Sequence, residues 1–170
     1  MMTWSFNEQS YIKMKNVRER NDGGMRIALA SDHGGLKIKE EIKHLLEDLG
    51  FQYEDFGCEC SNSVDYPDYA LPVAEKVVGG EFDRGILVCG TGIGMSIAAN
   101  KVKGVRCALV HDTFSAKATR QHNDSNILAL GERVIGPGLA REIVKVWLET
   151  EFEGGRHATR VDKITALEAK

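Results

Sequence analysis

Apolar runs and amphipathic stretches alternate along the chain from Met25 onward. Five short runs rich in apolar residues predict β-strands, namely RIALAS, FQYEDFG, RGILVCG, VRCALVHD and NILALGERVIG. The stretches between and after them predict helices, because their apolar residues recur at steps of three and four. In the first such helix the residues that fall mostly on one face are Leu36, Ile38, Ile42, Leu45, Leu46 and Leu49. Gly50 follows them as a helix-ending residue.

Strands that alternate with helices are typical of a parallel sheet covered by helices on both faces. We therefore expect an α/β fold, a three-layer α/β/α sandwich around a Rossmann-like five-stranded parallel sheet. The 170 residues are enough for one domain with a single buried core. We expect this domain to span residues 25–153 and a further helical segment to span residues 154–170.

The first 24 residues show no comparable pattern. They are polar, mix both signs of charge and contain no apolar stretch of the kind found in secretory signals. We expect a flexible extension there. Met25 directly precedes the first predicted strand, so a start of translation at Met25 is the alternative.

Composition excludes several classes of function. Hydrophobic residues make up 42% of the chain and charged residues 28%, and the net charge of −3 offers no basic excess for nucleic acid. No apolar run approaches the ~20 residues that cross a membrane. The four cysteines have neither a CxxC pair nor a zinc-binding spacing, which favours a reducing compartment such as the cytoplasm. They are Cys58, Cys60, Cys89 and Cys107.

Chemically useful residues follow or flank the predicted strands. Ligands of open α/β sheets bind at the carboxyl ends of the strands, so we expect these residues to form one rim. They are Asp32 and His33 after the first strand, Cys89 and the glycine loop after the third, His111 and Asp112 after the fourth, and His122, Asn123 and Arg133 around the fifth.

The glycine loop reads GTGIG and spans residues 90–94. Its spacing is not that of a dinucleotide fingerprint, and no Gly-Lys-Ser/Thr of a P-loop follows. Its backbone N–H groups, at the start of a predicted helix, suit a developing oxyanion, and the alternative is a tight strand–helix turn. Cys89 precedes it, in a position that favours a reactive thiolate, although a buried structural cysteine is the alternative.

Two arginines near the C-terminus are spaced for one helix face. Arg156 and Arg160 are four residues apart, and together with Arg133 they could clamp a phosphate. A solvated basic face is the alternative.

Several motifs in this order resemble ribose-5-phosphate isomerase of type B. They are SDHGG, DYPDYA, CGTGIGMSIAANK, RQHND and GGRH with a later Arg, and they run from Met25 almost to the C-terminus. The resemblance implies an enzyme that interconverts ribose 5-phosphate and ribulose 5-phosphate through a cis-enediolate, without metal or cofactor. It also implies the strand order 2-1-3-5-4. A homodimer or tetramer is implied as well, with active sites shared between subunits and the C-terminal segment docked on a partner.

The resemblance also implies a role for each motif. Cys89 would be the base at C2 of the sugar, and His122, with Asp32, would open the furanose ring. The oxyanion would be held by Thr91 and the backbone of the loop, namely Gly90, Gly92, Ile93 and Gly94. Sugar and phosphate would be bound by His33, Tyr66, Asn123, Arg133, Arg156 and Arg160.

Three further points concern the catalytic base, the substrate and the class of protein. One subgroup of the family uses a glutamate as base where Met95 stands here, so this chain resembles the cysteine type. Allose 6-phosphate or galactose 6-phosphate is the alternative to the pentose phosphate, and the depth of the pocket decides between them. A non-catalytic nucleotide-binding module is a further alternative, although such a module has no need for Cys89.

Overall fold

The computed structural model describes residues 24–59 and 61–169. Most of the predicted extension, residues 1–23, and also Cys60 lie outside the described residues. The strands are β1 (Arg26–Ser31), β2 (Gln52–Asp55), β3 (Arg84–Cys89), β4 (Cys107–Leu109) and β5 (Ile127–Gly131). The helices are α1 (Leu36–Leu49), α2 (Pro67–Val78), α3 (Ile93–Ala99), α4 (Thr113–Asn123), α5 (Pro137–Glu149) and α6 (Arg156–Leu167).

The strands form one parallel sheet in the order β2-β1-β3-β5-β4, which confirms the predicted fold and strand order. β3 is the central strand, and Cys89 at its end is in register with Gly131 at the end of β5. The chain continues from β1 toward one edge of the sheet and from β3 toward the other. The switch point of the sheet, where ligands of such folds bind, therefore lies at the carboxyl ends of β1 and β3.

Side chains alternate between two buried layers, as the pleat of a strand requires. One face of the sheet packs against α1 and α5, with Ile42 and Trp147 fully buried between the layers. The other face packs against α2 and α3. Gly85 of β3 lets α2 approach this second face closely, because a Cβ there would lie 2.8 Å from Cγ1 of Val73.

Two predicted strands are shorter than their apolar runs. β4 keeps only three residues, because it is an edge strand that pairs with β5 alone. β5 ends at Gly131, and the chain then turns, with the N–H groups of Val134 and Ile135 both bonded to the carbonyl of Gly131. The described part of the chain contains no helix that is both long and apolar enough to cross a membrane.

The C-terminal helix α6 lies partly on its own chain. His157 and Val161 are buried, and the carboxylate of Glu168 accepts a hydrogen bond of 2.8 Å from the N–H of Gly104. Ile164 and Leu167, which continue the apolar stripe of Val161, are 46% and 61% exposed. One side of α6 thus contacts its own subunit, and docking of the other side on a partner stays a prediction.

Candidate active site

The glycine loop occupies the carboxyl end of the central strand. Gly92 is the N-cap of α3 and has a φ of +76°, in the left-handed region that favours glycine. A Cβ on Gly92 would lie 2.5 Å from Cδ1 of Leu109 and 2.9 Å from the backbone carbon of Leu130. Both the backbone angle and the close approach of β5 therefore require glycine here.

The Cys89 thiol faces this loop. The residue is 5% exposed, and its Sγ accepts a hydrogen bond of 3.0 Å from the N–H of Gly92. A thiolate fills such an acceptor role better than a thiol, because hydrogen bonds to an ionised acceptor are stronger. Burial raises the pKa of the Cys107 thiol to about 12 and keeps that thiol protonated at neutral pH. Of these two thiols, the structure places Cys89 where a base is useful.

Asp32 and His33 extend the same edge from β1. The carboxylate of Asp32 is buried, and its Oδ1 accepts a hydrogen bond of 2.8 Å from the N–H of Gly34. Nδ1 of His33 accepts from the N–H of Val64 at 3.1 Å, so the neutral ring carries its proton on Nε2. A Cβ on Gly34 would lie only 3.1 Å from the nitrogen of Gly90, which shows that the loops after β1 and β3 touch.

The side chains of Tyr66 and Arg133 pack against the glycine loop. A Cβ on Gly94 would be 2.8 to 2.9 Å from the Tyr66 ring, and one on Gly90 would be 3.2 Å from the guanidinium carbon of Arg133. The Arg133 N–H also donates to the carbonyl of Gly90 at 3.0 Å. The structure therefore assembles Asp32, His33, Tyr66, Cys89, Thr91 and Arg133 around one edge. The strand pattern predicted this placement for all of them except Tyr66, which only the family resemblance assigned to the site. We call this set the carboxyl-edge cluster.

Two further residues support this edge. The sequence placed them near the rim but gave neither of them a role. The carboxylate of Glu132 accepts hydrogen bonds from the N–H groups of Lys37 and Ile38, at 2.8 and 3.1 Å, and so joins the loop that carries Arg133 to the start of α1. His111 Nε2 donates to the Thr91 carbonyl at 3.2 Å, because a carbonyl can only accept. The available signal was position, since Glu132 directly follows β5 and His111 lies two residues after β4.

His122 and Asn123 do not belong to this rim, so the expectation of a single rim within one chain is wrong. They end α4, and the Asn123 carbonyl accepts a hydrogen bond of 3.1 Å from Nε of Arg106, which directly precedes β4. α4 runs back along the sheet from the end of β4 to the start of β5, a length of about 17 Å for its eleven residues. The two residues therefore lie at the amino ends of the strands.

Arg156 and Arg160 accompany His122 rather than Arg133. The N–H of Glu153 donates to the Gln121 carbonyl at 3.1 Å, which joins the segment before α6 to the end of α4. The rings of His122 and His157 stack with centroids 4.3 Å apart. His122, Asn123, Arg156 and Arg160 form what we call the amino-edge cluster. The four predicted phosphate ligands are thus divided, with His33 and Arg133 at one edge and Arg156 and Arg160 at the other.

His157 is buried beside the amino-edge cluster, where it contacts His122. Burial, followed by the neighbouring positive charges of His122 and Arg156, lowers its pKa, whereas the carboxylate of Glu153 opposes this shift. Its neutral ring supports one face of His122 by stacking. The sequence marked this histidine only as part of the GGRH motif.

A fold of this kind, with a thiol and a glycine loop at the switch point, defines a class of α/β proteins that bind small ligands at the carboxyl edge of the sheet. The sequence profile described as Ribose/Galactose Isomerase matches residues 27–164. This chain belongs to that family.

Individual relatives agree with this assignment. A Bacillus subtilis protein provisionally named sugar phosphate isomerase YwlF is 73% identical over 147 residues, which are 86% of this chain and 99% of that protein. Ribose-5-phosphate isomerase B of Escherichia coli is 50% identical over 145 residues, 85% of this chain and 97% of that protein.

Solved structures agree as well. Ribose-5-phosphate isomerase B of Clostridium thermocellum has a TM-score of 0.84 at 56% identity, covering 85% of this chain and 98% of that one. The Mycoplasma genitalium enzyme of the same name, with bound ribulose-5-phosphate, has a TM-score of 0.83 at 42% identity and covers 88% and 99%.

Proposed function

We propose that this protein is an aldose–ketose isomerase that interconverts D-ribose 5-phosphate and D-ribulose 5-phosphate, a reaction of the non-oxidative pentose phosphate pathway. The observation that carries the proposal is the Cys89 thiol at the end of the central strand, hydrogen-bonded to the N–H of Gly92. Relatives named ribose-5-phosphate isomerase B, at 50% identity or with ribulose-5-phosphate bound, support the choice of substrate.

The proposed chemistry is a proton transfer between C2 and C1 of the open-chain sugar. Cys89 removes the proton from C2, which forms the cis-enediolate, and the proton is then returned at C1. Positioned proton transfer of this kind typically accelerates a reaction by about 10²–10⁴-fold. The hydroxyl of Thr91 and the N–H groups of residues 90–94 stabilise the negative oxygen, and the step needs no metal or cofactor.

The remaining groups bind and orient the substrate in this proposal. His122, with Asp32, moves the proton that opens the furanose ring, and Tyr66 and Asn123 position the sugar. His33, Arg133, Arg156 and Arg160 hold the 5-phosphate. Binding energy from the non-reacting phosphate orients the reacting carbons.

Two copies of the chain are needed for this set of residues to meet. Cys89 and Asp32 lie at the carboxyl edge and His122 at the amino edge, and α4 separates the two within one subunit. We therefore infer a homo-oligomer, at least a dimer, in which the amino-edge cluster of one subunit completes the carboxyl-edge cluster of the other. The exposed Ile164 and Leu167 of α6 are available for such a contact.

Mixing two inactive variants tests both the reaction and the shared site. Cys89→Ala and His122→Gln should each lower ribulose 5-phosphate formation at least about 100-fold in the presence of EDTA. After unfolding and refolding together in equal amounts, they should recover about a quarter of wild-type activity, because half of the dimers are mixed and each holds one intact site.

Other outcomes have different meanings. No recovery on mixing, with both variants folded and dimeric, would contradict the shared site. If the wild-type protein is inactive on ribose 5-phosphate but active on allose or galactose 6-phosphate, the proposed substrate is wrong and a hexose phosphate takes its place. Inactivity on all three sugars would favour a binding module.

A further inference from the structure

Three side chains of the kinds that bind transition metals converge where α4 ends and α6 begins. His122 is the penultimate residue of α4, Glu153 precedes α6, and His157 lies in its first turn. One potential ligand atom from each lies within 4.8 Å of those of the other two. His157 Nε2 and Glu153 Oε2 are 3.6 Å apart. Two imidazoles and one carboxylate are a ligand set that zinc commonly takes in proteins.

The spacing is close to that of a tetrahedral ion. With metal–ligand bonds of about 2.0–2.1 Å, two ligand atoms of a tetrahedral site lie about 3.3 Å apart. The His157–Glu153 pair is already near this value. The two rings are nearly parallel, at 12°, so one must tilt before both nitrogens face a common ion. We expect His122 to tilt, because it is partly exposed whereas His157 is buried.

The backbone already holds the three residues together. The N–H of Glu153 donates to the Gln121 carbonyl at 3.1 Å, next to His122. This bond fixes Glu153 beside the end of α4, so rotation of the side chains brings the three ligand atoms closer together. One group competes, since Nε of Arg156 donates a long hydrogen bond of 3.4 Å to His157 Nε2. Arg156 is exposed and can turn away into solvent.

We propose that His122, Glu153 and His157 bind Zn²⁺ or a similar divalent transition metal ion, and that the bound ion inhibits the enzyme. Three protein ligands leave a fourth position for water, as in other zinc sites that are open to solvent. A ring nitrogen that coordinates the ion cannot take up the proton of the sugar hydroxyl. The inhibition rests on the proposed role of His122, whereas the binding does not.

Metal binding is measured on the full chain after treatment with EDTA and its removal. Zn²⁺ is titrated in competition with a chromophoric chelator, and Co²⁺ serves as a spectroscopic probe. We expect one Zn²⁺ per chain, and affinity lowered about tenfold or more in Glu153→Gln, since even residues that only support a metal ligand cost 10–100-fold when lost. Glu151→Gln is the matched control, because Glu151 is exposed on the same segment and lies outside the cluster.

Two binding results would overturn the proposal. One is equal affinity in Glu153→Gln and Glu151→Gln. The other is an intense near-ultraviolet charge-transfer band with Co²⁺, which would place the ion on a thiolate such as that of Cys89.

Inhibition is measured in parallel. Zn²⁺ should abolish ribulose 5-phosphate formation in the wild type and in Glu151→Gln, EDTA should restore it, and Glu153→Gln should keep its activity at Zn²⁺ concentrations that inhibit the other two. Binding that depends on Glu153 without any inhibition would support the metal site and contradict the proposed role of His122. Inhibition that persists unchanged in Glu153→Gln would overturn the proposed site.

Discussion

Gly92→Ala tests whether the glycine loop depends on close backbone packing. Gly92 has a φ of +76°, and an L-residue in the left-handed region costs about 1–2 kcal/mol. The new Cβ would lie 2.5 Å from Leu109 Cδ1 and 3.0 Å from the Leu130 carbonyl oxygen, and overpacking of this kind costs about 1–3 kcal/mol more. We therefore expect a total loss of about 2–5 kcal/mol in the free energy of unfolding, a fall of about 4–20 °C in Tm.

Gly80→Ala separates the two contributions. Gly80 has nearly the same φ, +79°, but no heavy atom would lie within 4 Å of its Cβ apart from its immediate neighbours. This control should lose only the backbone contribution of about 1–2 kcal/mol. Urea unfolding of the wild type and both variants gives the comparison, provided the m-values agree.

The same variants give a catalytic readout. The N–H of Gly92 donates to Cys89 Sγ, so a displaced loop moves the donor away from the thiol. We expect kcat/KM to fall about 100-fold in Gly92→Ala, as for other small displacements at active sites, and to be unchanged in Gly80→Ala. Equal stability losses in the two variants would refute the packing argument, since the two glycines have nearly the same φ and differ in crowding.

Three further predictions concern the carboxyl edge. Gly90→Ala should raise KM for ribose 5-phosphate with little change in Tm. The new Cβ would lie 3.2 Å from the side chain of Arg133, which is flexible and can move away. An unchanged KM would argue against phosphate binding by Arg133. Cys89→Ala should lower kcat by about 10²–10⁴-fold without lowering Tm much, whereas an active variant would exclude the thiol as base. The N–H of Ser115 donates a hydrogen bond to the Asp112 carboxylate, which lowers the pKa of that carboxylate. The stabilisation from this hydrogen bond should be lost as the pH falls from about 3.9, the pKa in the unfolded chain, through the lower pKa of the folded protein. Thermal melts of the wild type and Asp112→Asn, which keeps the helix cap without titrating, should therefore converge in acid, and a difference that persists there would contradict this linkage.

Most of the fold was predictable from local pattern. The apolar face of α1 and the left-handed Gly50 that ends it are both local properties, and the structure agrees with each. β4 was less predictable, because its length depends on the single neighbour with which it pairs. The strand order came from resemblance, since periodicity carries no information about which strands are neighbours.

The candidate site was predicted in part for the same reason. Asp32, Cys89 and Arg133 each directly follow a strand, and in a parallel sheet all strands end at one edge, so their chain positions predict that they meet. Glu132 and His111 share that placement, but their hydrogen bonds to α1 and to Thr91 connect residues 20 or more positions apart. Such partners depend on how the elements pack.

The sequence by itself determined the alternation of elements, the parallel sheet, and the placement of the thiol and glycine loop at the end of the third strand. Periodicity and turn residues act over a few neighbouring positions, and these features are local. Only the tertiary structure decided that His122, Asn123, Arg156 and Arg160 lie at the opposite edge from Cys89. The direction of α4 after its strand sets that distance, and for this reason a single subunit cannot bring the two clusters together.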